Sequence, residues 1–311
     1  METLLAQDGI SQKTALSGSS VPSTLEPLAV RAKYRPYGSS VSYSSAEQQV
    51  AMNIALSSFS PLSMVSVEER DLRWDTDGST VVHRHRLGDG TAGYFKPLKD
   101  NSICESDFRD YGVSSLGAAI NELNAYRMAQ LLGGGYAELV PETVLREIDD
   151  TVGTLQREVS EPESRNFESE ALFEDYRRAA LFDFVIGNLD RHDENFLYGL
   201  DELGQRRIRL IDNSFSFPGF TRSWFLNQSI FADNSPHWLC DTDYSIPDHE
   251  LDLTADEFNA LCRAREGVAG WLEAKTIGTQ RGKATLKRID FLIEADRLKP
   301  ISGYLRRFRD Y

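Results

Sequence analysis

Two acidic residues and an amide stand at a spacing that suits metal-assisted chemistry on a hydroxyl group. Asp190 and Asn195 lie five positions apart in the stretch Asn188–Asn195, which reads NLDRHDEN. Asp212 follows seventeen positions after Asn195, at the end of the strand-like run Ile208–Ile211. In phosphoryl transfer, one carboxylate aligns the acceptor hydroxyl, while an amide oxygen and a second carboxylate hold Mg²⁺ on ATP. The spacing therefore predicts a phosphotransferase in which Asp190 is catalytic and Asn195 and Asp212 bind the metal.

Several of these polar residues also have a structural interpretation. Asp190 follows a predicted helix in a turn-prone loop, and Asp212 ends a strand, where aspartate is common. His192, in the same loop, is interpreted as an imidazole that hydrogen-bonds the backbone or Asp212 rather than as a base. His83 and His85 have a two-residue spacing that can bind a metal, but no third ligand is evident. The catalytic interpretation is favoured for the acidic residues because every position of the arrangement is filled.

A lysine and a glutamate in the first half of the chain could serve the nucleotide phosphates. Lys96 lies beside Tyr94 and Phe95 on a predicted strand, and Glu122 lies inside a predicted helix. Taken separately, the lysine could extend from a half-buried strand to solvent, and the glutamate could be an exposed helix residue. A strand lysine followed by a helix glutamate and two more strands is the order of the kinase ion pair. We therefore expect Glu122 to hold Lys96 for contact with phosphate.

The hydrophobic periodicity changes about halfway along the chain, from mostly strands to mostly helices. Alternating residues and turn signals in the first half predict a hairpin, a glycine-terminated helix and two further strands. These are strands Ser79–Arg86 and Thr91–Pro97, helix Ser115–Leu132, and strands Leu139–Glu147 and Thr151–Val159. Helical spacing and a capping box in the second half predict helices around a second small hairpin. These are helices Glu168–Ile186, Thr254–Lys275 and Lys283–Leu298, and strands Asn195–Tyr198 and Ile208–Ile211.

These elements predict an α+β protein with a two-lobed fold. We expect a mainly β first lobe over residues 46–160, which carries Lys96. A mainly helical second lobe over residues 161–311 is expected to carry the catalytic and metal-binding loops. Residues 1–45 are rich in Ser, Gly, Pro and Thr without a sustained period, so this segment is predicted to be a mobile arm.

The amino-acid composition limits which binding partners and which cellular compartment are expected. A formal net charge of -14 argues against nucleic acid, whose phosphate backbone requires a basic surface. The three cysteines are too widely spaced for a disulfide framework or a metal site, which indicates a reducing, cytoplasmic compartment. No run of about 18 apolar residues would span a membrane, and the N-terminus lacks a signal-peptide pattern. The oligomeric state is left open.

Motifs in both halves are similar to those of a known kinase branch. Gly187–Leu197 (GNLDRHDENFL) and Leu210–Pro218 (LIDNSFSFP) resemble the phosphatidylinositol 3-/4-kinase-like branch of the protein kinase superfamily. That branch includes type II phosphatidylinositol 4-kinases and actin-fragmin kinase, and HipA-type serine/threonine kinases share the general Asn-x-Asp…Asn arrangement. Tyr94–Pro97 (YFKP) resembles its nucleotide-lysine strand, and Val140–Val144 with Thr154–Gln156 resembles the strands that lead to its hinge.

The resemblance implies a two-lobed protein-kinase-like fold that uses ATP and Mg²⁺. It assigns the same roles to the lysine, the glutamate, the two aspartates and the asparagine as their spacing does. It also places adenine near residues 156–160, with Gln156 and Glu158 among the nucleotide-binding residues. The Ser/Gly phosphate loop of the branch is not recognisable before the lysine strand. This loop is therefore either unusual or located within Ser57–Val67.

The sequence favours one of three roles for the chain in transfer to an acceptor. The acidic composition and the lack of membrane features favour a protein serine or threonine hydroxyl. A phosphoinositide acceptor is one alternative, and a pseudokinase that binds nucleotide or a partner without turnover is another. The presence of every polar position counts against the pseudokinase. The acceptor-binding surface is expected within Phe220–His249, which is rich in aromatic residues.

Overall fold

The chain folds into a β-rich first part and a largely helical second part. The computed structural model describes residues 49–51, 53–54, 61–75, 82–98, 114–149, 151–159, 173–191, 195–201, 203–219 and 252–295. Within these ranges the α+β class and the expected division into a mainly β part and a mainly helical part are confirmed. The predicted arm over residues 1–45, the acceptor segment Phe220–His249 and the boundary at residue 160 lie outside them, so these stay predictions.

A five-stranded antiparallel sheet forms the first part within the described ranges. In spatial order its strands are β1 (Val67–Asp75), β2 (Val82–Leu87), β3 (Ala92–Pro97), β5 (Thr151–Arg157) and β4 (Thr143–Ile148). The predicted hairpin is β2–β3, which pairs His83 with Phe95 and Arg86 with Ala92. Pro97 ends β3 rather than marking a sheet edge, because β3 is central and pairs with β5 on its other side.

The two faces of the sheet have different environments. Neighbouring residues along a strand point to opposite faces, so Lys96 and Phe95 lie on different sides of β3. Phe95 packs in an apolar cluster with Leu62 of α1 (Pro61–Met64). The described portion of Ser57–Val67 therefore covers the face away from Lys96. The position of the phosphate loop stays a prediction. The connection between β1 and β2 comprises residues 76–81, outside the described ranges.

Helix α2 (Ser115–Leu132) connects the two parts of the structure. Its bounds agree with the prediction: Ser114 Oγ accepts from the Gly117 N–H at 2.9 Å, and the helix ends before Gly133, at φ 68°. Its N-terminal half packs on the sheet, and its C-terminal half is buried in the core of the second part. Because both halves are buried, α2 is held in place from both sides.

The second part contains three helices and a hairpin in the described ranges. They are α3 (Phe173–Ile186), the hairpin β6 (Phe196–Leu200) and β7 (Arg206–Leu210), α4 (Ala255–Glu273) and α5 (Thr279–Ala295). The predicted capping box is present, with Thr254 and Glu257 each hydrogen-bonding the other's backbone N–H. No helix among the described residues is both long and apolar enough to cross a membrane.

Two predicted boundaries are wrong, and packing explains both. The last helix begins at Thr279 rather than near Lys283, and it runs through Gly282. A Cβ atom at Gly282 would lie 2.5 Å from Leu272 Cδ2, so the glycine permits close approach of α5 to α4. The strand expected from Leu139 begins at Thr143, because Leu139 is buried in the second part, where its carbonyl accepts from the Leu210 N–H at 2.6 Å.

Candidate active site

Lys96 lies between two carboxylates that come from different parts of the chain. Its Nζ is 2.9 Å from Glu122 Oε1 and 3.2 Å from Asp212 Oδ1. Strand β3 supplies the lysine, α2 supplies Glu122, and the segment after β7 supplies Asp212. The Glu122 side chain is 4% exposed, whereas that of Asp212 is 38% exposed. Glu122 is therefore the buried partner of the lysine, and Asp212 remains accessible to a ligand.

The charge states of Lys96 and Asp212 depend on each other. Burial by itself favours the neutral amine of Lys96, but the negative charges of Asp212 and Glu122 outweigh it and raise the pKa of the lysine. Burial by itself favours the protonated form of Asp212. The charge of Lys96 and hydrogen bonds from Ser214 and Lys96 outweigh it and lower the pKa of Asp212. Both groups are therefore ionised at neutral pH, as binding of phosphate and of a metal requires.

Asp190 and Asn195 lie at the two ends of a short loop. The backbone N–H of Asp190 donates to Asn188 Oδ1 at 2.8 Å, and Asn195 Nδ2 donates to the carbonyl oxygen of Asp190 at 2.7 Å. Because this bond uses the amide nitrogen of Asn195, its Oδ1 atom is the one able to coordinate a metal. Residues 192–194 lie outside the described ranges, so the structural role of His192 stays a prediction.

The β6–β7 hairpin brings Asp212 next to this loop. Phe196 pairs with Leu210, and the Ile211 N–H donates to the carbonyl oxygen of Asn195 at 3.0 Å. Asp212 then adopts a left-handed backbone conformation at φ 50°, which aspartate tolerates better than most non-glycine residues. One hairpin thus brings the backbone segments of the two candidate metal ligands together.

Arg191 is a buried residue to which the sequence analysis assigned no role. Its Nε and Nη2 donate to both carboxylate oxygens of Asp183 on α3, at 2.8 and 3.1 Å. The same guanidinium donates to the carbonyl oxygens of Asn195 and Ile211 and to Asn213 Oδ1. It therefore joins α3, the Asp190 loop and the segment after β7. A signal was present in the sequence, since Asp183 interrupts the apolar run of the predicted helix.

Ser214 and Asn121 connect the Asp212 segment to α2, and the sequence analysis assigned neither of them a role in the site. Ser214 Oγ lies 2.9 Å from Asp212 Oδ1 and 3.2 Å from Glu122 Oε1. The fully buried Asn121 donates through Nδ2 to the Ser214 carbonyl at 2.6 Å and accepts from Arg281 Nη1 at 2.7 Å. A buried amide beside Glu122 thus fixes where the Asp212 segment meets the helix.

Gln156 and Glu158, the predicted nucleotide-binding residues, lie on the sheet face that carries the lysine, since Gln156 pairs directly with Tyr94. The Gln156 side chain donates through Nε2 to Thr143 Oγ1 at 2.9 Å. The Glu158 carboxylate accepts from Arg84 Nε and Nη2 at 2.7 and 2.8 Å and from the Tyr94 hydroxyl at 3.0 Å. Their side chains are therefore engaged by neighbours on the sheet, and their contact with nucleotide stays a prediction.

Comparison with known proteins gives distant likenesses among solved structures. No family model and no curated protein sequence matches the chain. The proinflammatory kinase CtkA of Helicobacter pylori is similar at 11% identity with a TM-score of 0.37, over 79% of this chain and 98% of that one. The Golgi casein kinase is similar at 13% identity with a TM-score of 0.42, over 95% and 94%. Function must therefore be argued from the site itself, and the phosphatidylinositol 3-/4-kinase-like branch stays a prediction.

The oxygen donors at the site suit magnesium better than a transition metal. Asn195 and Asp212 offer hard amide and carboxylate oxygens, and Mg²⁺ is commonly held by one or two such groups together with substrate phosphates. Among the described residues, no group of three or more His, Cys, Asp or Glu side chains is placed to hold a metal by itself. His83 and His85 lie on the opposite sheet face from Lys96, where His85 packs against Phe95 with ring centroids 6.0 Å apart.

Proposed function

We propose that this chain is a kinase that transfers the γ-phosphate of ATP to a hydroxyl group with the help of Mg²⁺. One observation carries the proposal: Lys96, its partner Glu122, and Asp212 from the second part meet at 2.9 and 3.2 Å. Phosphoryl transfer asks a protein mainly to position its substrates and to compensate charge. A lysine, an acidic metal ligand and a nearby acidic residue for the hydroxyl supply those requirements.

The residues around Lys96 would bind the nucleotide phosphates. Lys96 donates hydrogen bonds to phosphate oxygens, and Glu122 keeps its ammonium group at the crevice. The Asn195 side-chain oxygen and the Asp212 carboxylate hold the metal, which neutralises charge on the β- and γ-phosphates when it is bound. Arg191 keeps those two ligands at a constant separation because it binds the backbone on both sides.

Asp190 would act on the acceptor hydroxyl. Its carboxylate accepts a hydrogen bond from that hydroxyl and orients the oxygen towards the γ-phosphorus. A bond forms between this oxygen and the phosphorus, while the bond from the phosphorus to the bridging oxygen of ADP breaks. The hydroxyl proton passes to Asp190 or to the product phosphate.

We further propose that the acceptor is a serine or threonine of a protein. The net charge of -14 supports this choice, because an acidic chain is repelled by an anionic lipid surface. Radiolabelled ATP supplied side by side to a protein lysate and to a lipid extract separates the two acceptors. Radiolabel found in the lipid fraction alone would show that the acceptor is a phosphoinositide rather than a protein.

Paired aspartate variants test the catalytic assignment. Asp190→Ala is expected to abolish turnover while ATP binding persists, and Asp212→Ala is expected to weaken binding of ATP in the presence of Mg²⁺. Asp290→Ala on α5 is the matched control, since its exposed carboxylate pairs with Arg265 of α4 away from the site. Unchanged turnover in Asp190→Ala would remove the role assigned to that residue. ATP binding without turnover in the unaltered protein would indicate a pseudokinase.

A further inference from the structure

Four polar atoms form a ring at the centre of the candidate active site. Lys96 Nζ lies 2.9 Å from Glu122 Oε1 and 3.2 Å from Asp212 Oδ1. Ser214 Oγ lies 3.2 Å from the same Glu122 oxygen and 2.9 Å from the same Asp212 oxygen. An ammonium group and a hydroxyl group thus alternate with two carboxylate oxygens. Ser214 shares both acidic partners of the lysine.

The Ser214 hydroxyl can serve only one of these carboxylates at a time. It carries a single proton, whereas both acceptors lie within hydrogen-bonding distance. Asp212 Oδ1 is the nearer acceptor, at 2.9 Å against 3.2 Å for Glu122 Oε1. Rotation about the Cβ–Oγ bond would redirect the proton to Glu122 without moving a heavy atom.

Nucleotide binding changes which carboxylate requires a donor. In the proposed function, Asp212 turns towards the metal and releases the Ser214 hydroxyl, while Glu122 stays paired with Lys96. The Glu122 side chain is 4% exposed, and its second oxygen, Oε2, has no hydrogen-bond partner in the described part of the chain. A buried carboxylate with too few donors is unfavourable. The Ser214 hydroxyl is placed to compensate.

We propose that Ser214 is a positioning residue whose hydroxyl group hydrogen-bonds Asp212 in the free protein and Glu122 once nucleotide and metal are bound. This inference rests on the proposed function and assigns a further residue to it. The switch releases Asp212 for the metal and keeps Glu122 in place behind Lys96. Ser214 itself stays fixed, because Asn121 Nδ2 donates to its carbonyl oxygen at 2.6 Å.

Kinetic constants of variants at position 214 test the proposal. Ser214→Ala is expected to lower kcat about 10- to 100-fold, the usual effect of losing a hydrogen bond to a charged group, with little change in KM for ATP. Ser214→Thr keeps the hydroxyl and should restore turnover. Ser214→Cys keeps the size with a weaker donor and should be intermediate. A kcat of Ser214→Ala equal to that of the unaltered protein would overturn the proposal.

The matched control is Ser216→Ala, two positions further along the same segment. The Ser216 hydroxyl is buried but has no hydrogen-bond partner within the described residues, so its removal should leave kcat unchanged. A loss as large as that of Ser214→Ala would mean that any change in this segment impairs turnover, and the proposal would fail.

Double-mutant cycles on thermal unfolding test the switch separately from turnover. In the free protein, Ser214→Ala should be non-additive with Asp212→Asn and additive with Glu122→Gln. With Mg²⁺ and a non-hydrolysable ATP analogue, the non-additivity should move to Glu122→Gln. No coupling to Asp212 in the free protein would overturn the inference. Coupling to Asp212 without any stabilisation by the analogue would instead overturn the proposed function, and the nucleotide-dependent half of the switch with it.

Discussion

Arg191 and Asp183 form an ion pair that is almost completely removed from solvent, with side chains 1% and 0% exposed. Two parallel N–H···O bonds join them, at 2.8 and 3.1 Å. Burial raises the pKa of the Asp183 carboxyl, and the charge and hydrogen bonds of Arg191 oppose that shift only in part. The pair lies behind the Asp190 loop, so its geometry determines how Asn195 and Ile211 are held.

Breaking this ion pair should reduce stability and activity in different ways. Arg191→Met and Asp183→Leu should each lower the free energy of unfolding by about 3–5 kcal/mol, because each leaves one charge buried without its partner. The double variant should recover most of that stability. Its turnover should stay low, since the bonds from Arg191 to the carbonyls of Asn195 and Ile211 are not replaced. Denaturant unfolding and an ATP-consumption assay would measure both effects. Normal turnover in the double variant would exclude a positioning role for Arg191.

Gly153 should be intolerant of any side chain because β3 passes close to it. A Cβ atom at this position would lie 2.3 Å from the Lys96 carbonyl oxygen and 2.7 Å from the Phe95 ring. Gly153→Ala should therefore cost about 1–3 kcal/mol of stability and weaken nucleotide binding, because the strand that carries Lys96 must move. Gly270→Ala is the control: nothing lies within 4 Å of its Cβ position. The same substitution there should raise the free energy of unfolding by at most about 1 kcal/mol, because alanine favours the helix more than glycine does. Urea unfolding would measure the free energy of unfolding of both variants, and a loss at Gly270→Ala as large as that at Gly153→Ala would contradict the prediction.

Asn121 should matter to turnover although no atom of it need touch substrate. Asn121→Ala removes the bond to the Ser214 carbonyl and leaves that partly buried oxygen without its donor, at a cost of about 1–3 kcal/mol. Because α2 then loses a connection to the Asp212 segment, kcat should fall as well. Gln130→Ala on the same helix is the control, since the amide of Gln130 makes its bond to Ala137 in an exposed position. Parallel calorimetry and turnover assays would measure the two effects. Equal kcat values for Asn121→Ala and Gln130→Ala would show that the hydrogen bond from Asn121 to Ser214 does not affect turnover.

The Glu257–Arg177 pair should make stability depend on pH. Burial by itself raises the pKa of Glu257, but hydrogen bonds from Arg177 and Thr254 and the charge of Arg177 lower it below the ordinary value of 4.5. A carboxyl whose pKa is lowered by folding contributes stability that is fully present above pH 4.5 and is lost as the pH falls through the folded-state pKa. Glu257→Gln should therefore be less stable than the unaltered protein at pH 7, with a difference that shrinks in acid. Urea unfolding would measure the difference in free energy of unfolding between the two proteins from pH 7 into acid. A difference that stays constant would show that the charge of Glu257 contributes nothing to stability.

Local sequence patterns were sufficient to predict the ends of those helices and strands that are set by neighbouring residues alone. Ser114 and Gly133 bound α2 where the sequence predicts, because a side-chain cap and a left-handed glycine act on the adjacent turn alone. The Thr254 capping box and the turn between β2 and β3 are local in the same way. The pattern failed at Leu139 and Gly282, whose environments are set by Leu210 and Leu272 from distant parts of the chain.

The sequence by itself determined which polar groups were available for chemistry: the lysine, the glutamate, the two aspartates and the asparagine, on a strand, a helix and two loops. Only the tertiary structure decided that Lys96 meets Glu122 and Asp212 at one point, and that Ser214 shares both carboxylates with it. Only the tertiary structure showed that Arg191 joins α3, the Asp190 loop and the segment after β7. The physical reason is that secondary structure follows from neighbours along the chain. Which charges meet depends on how helices and sheet pack, and Lys96 and Asp212 meet although they are 116 residues apart in the chain.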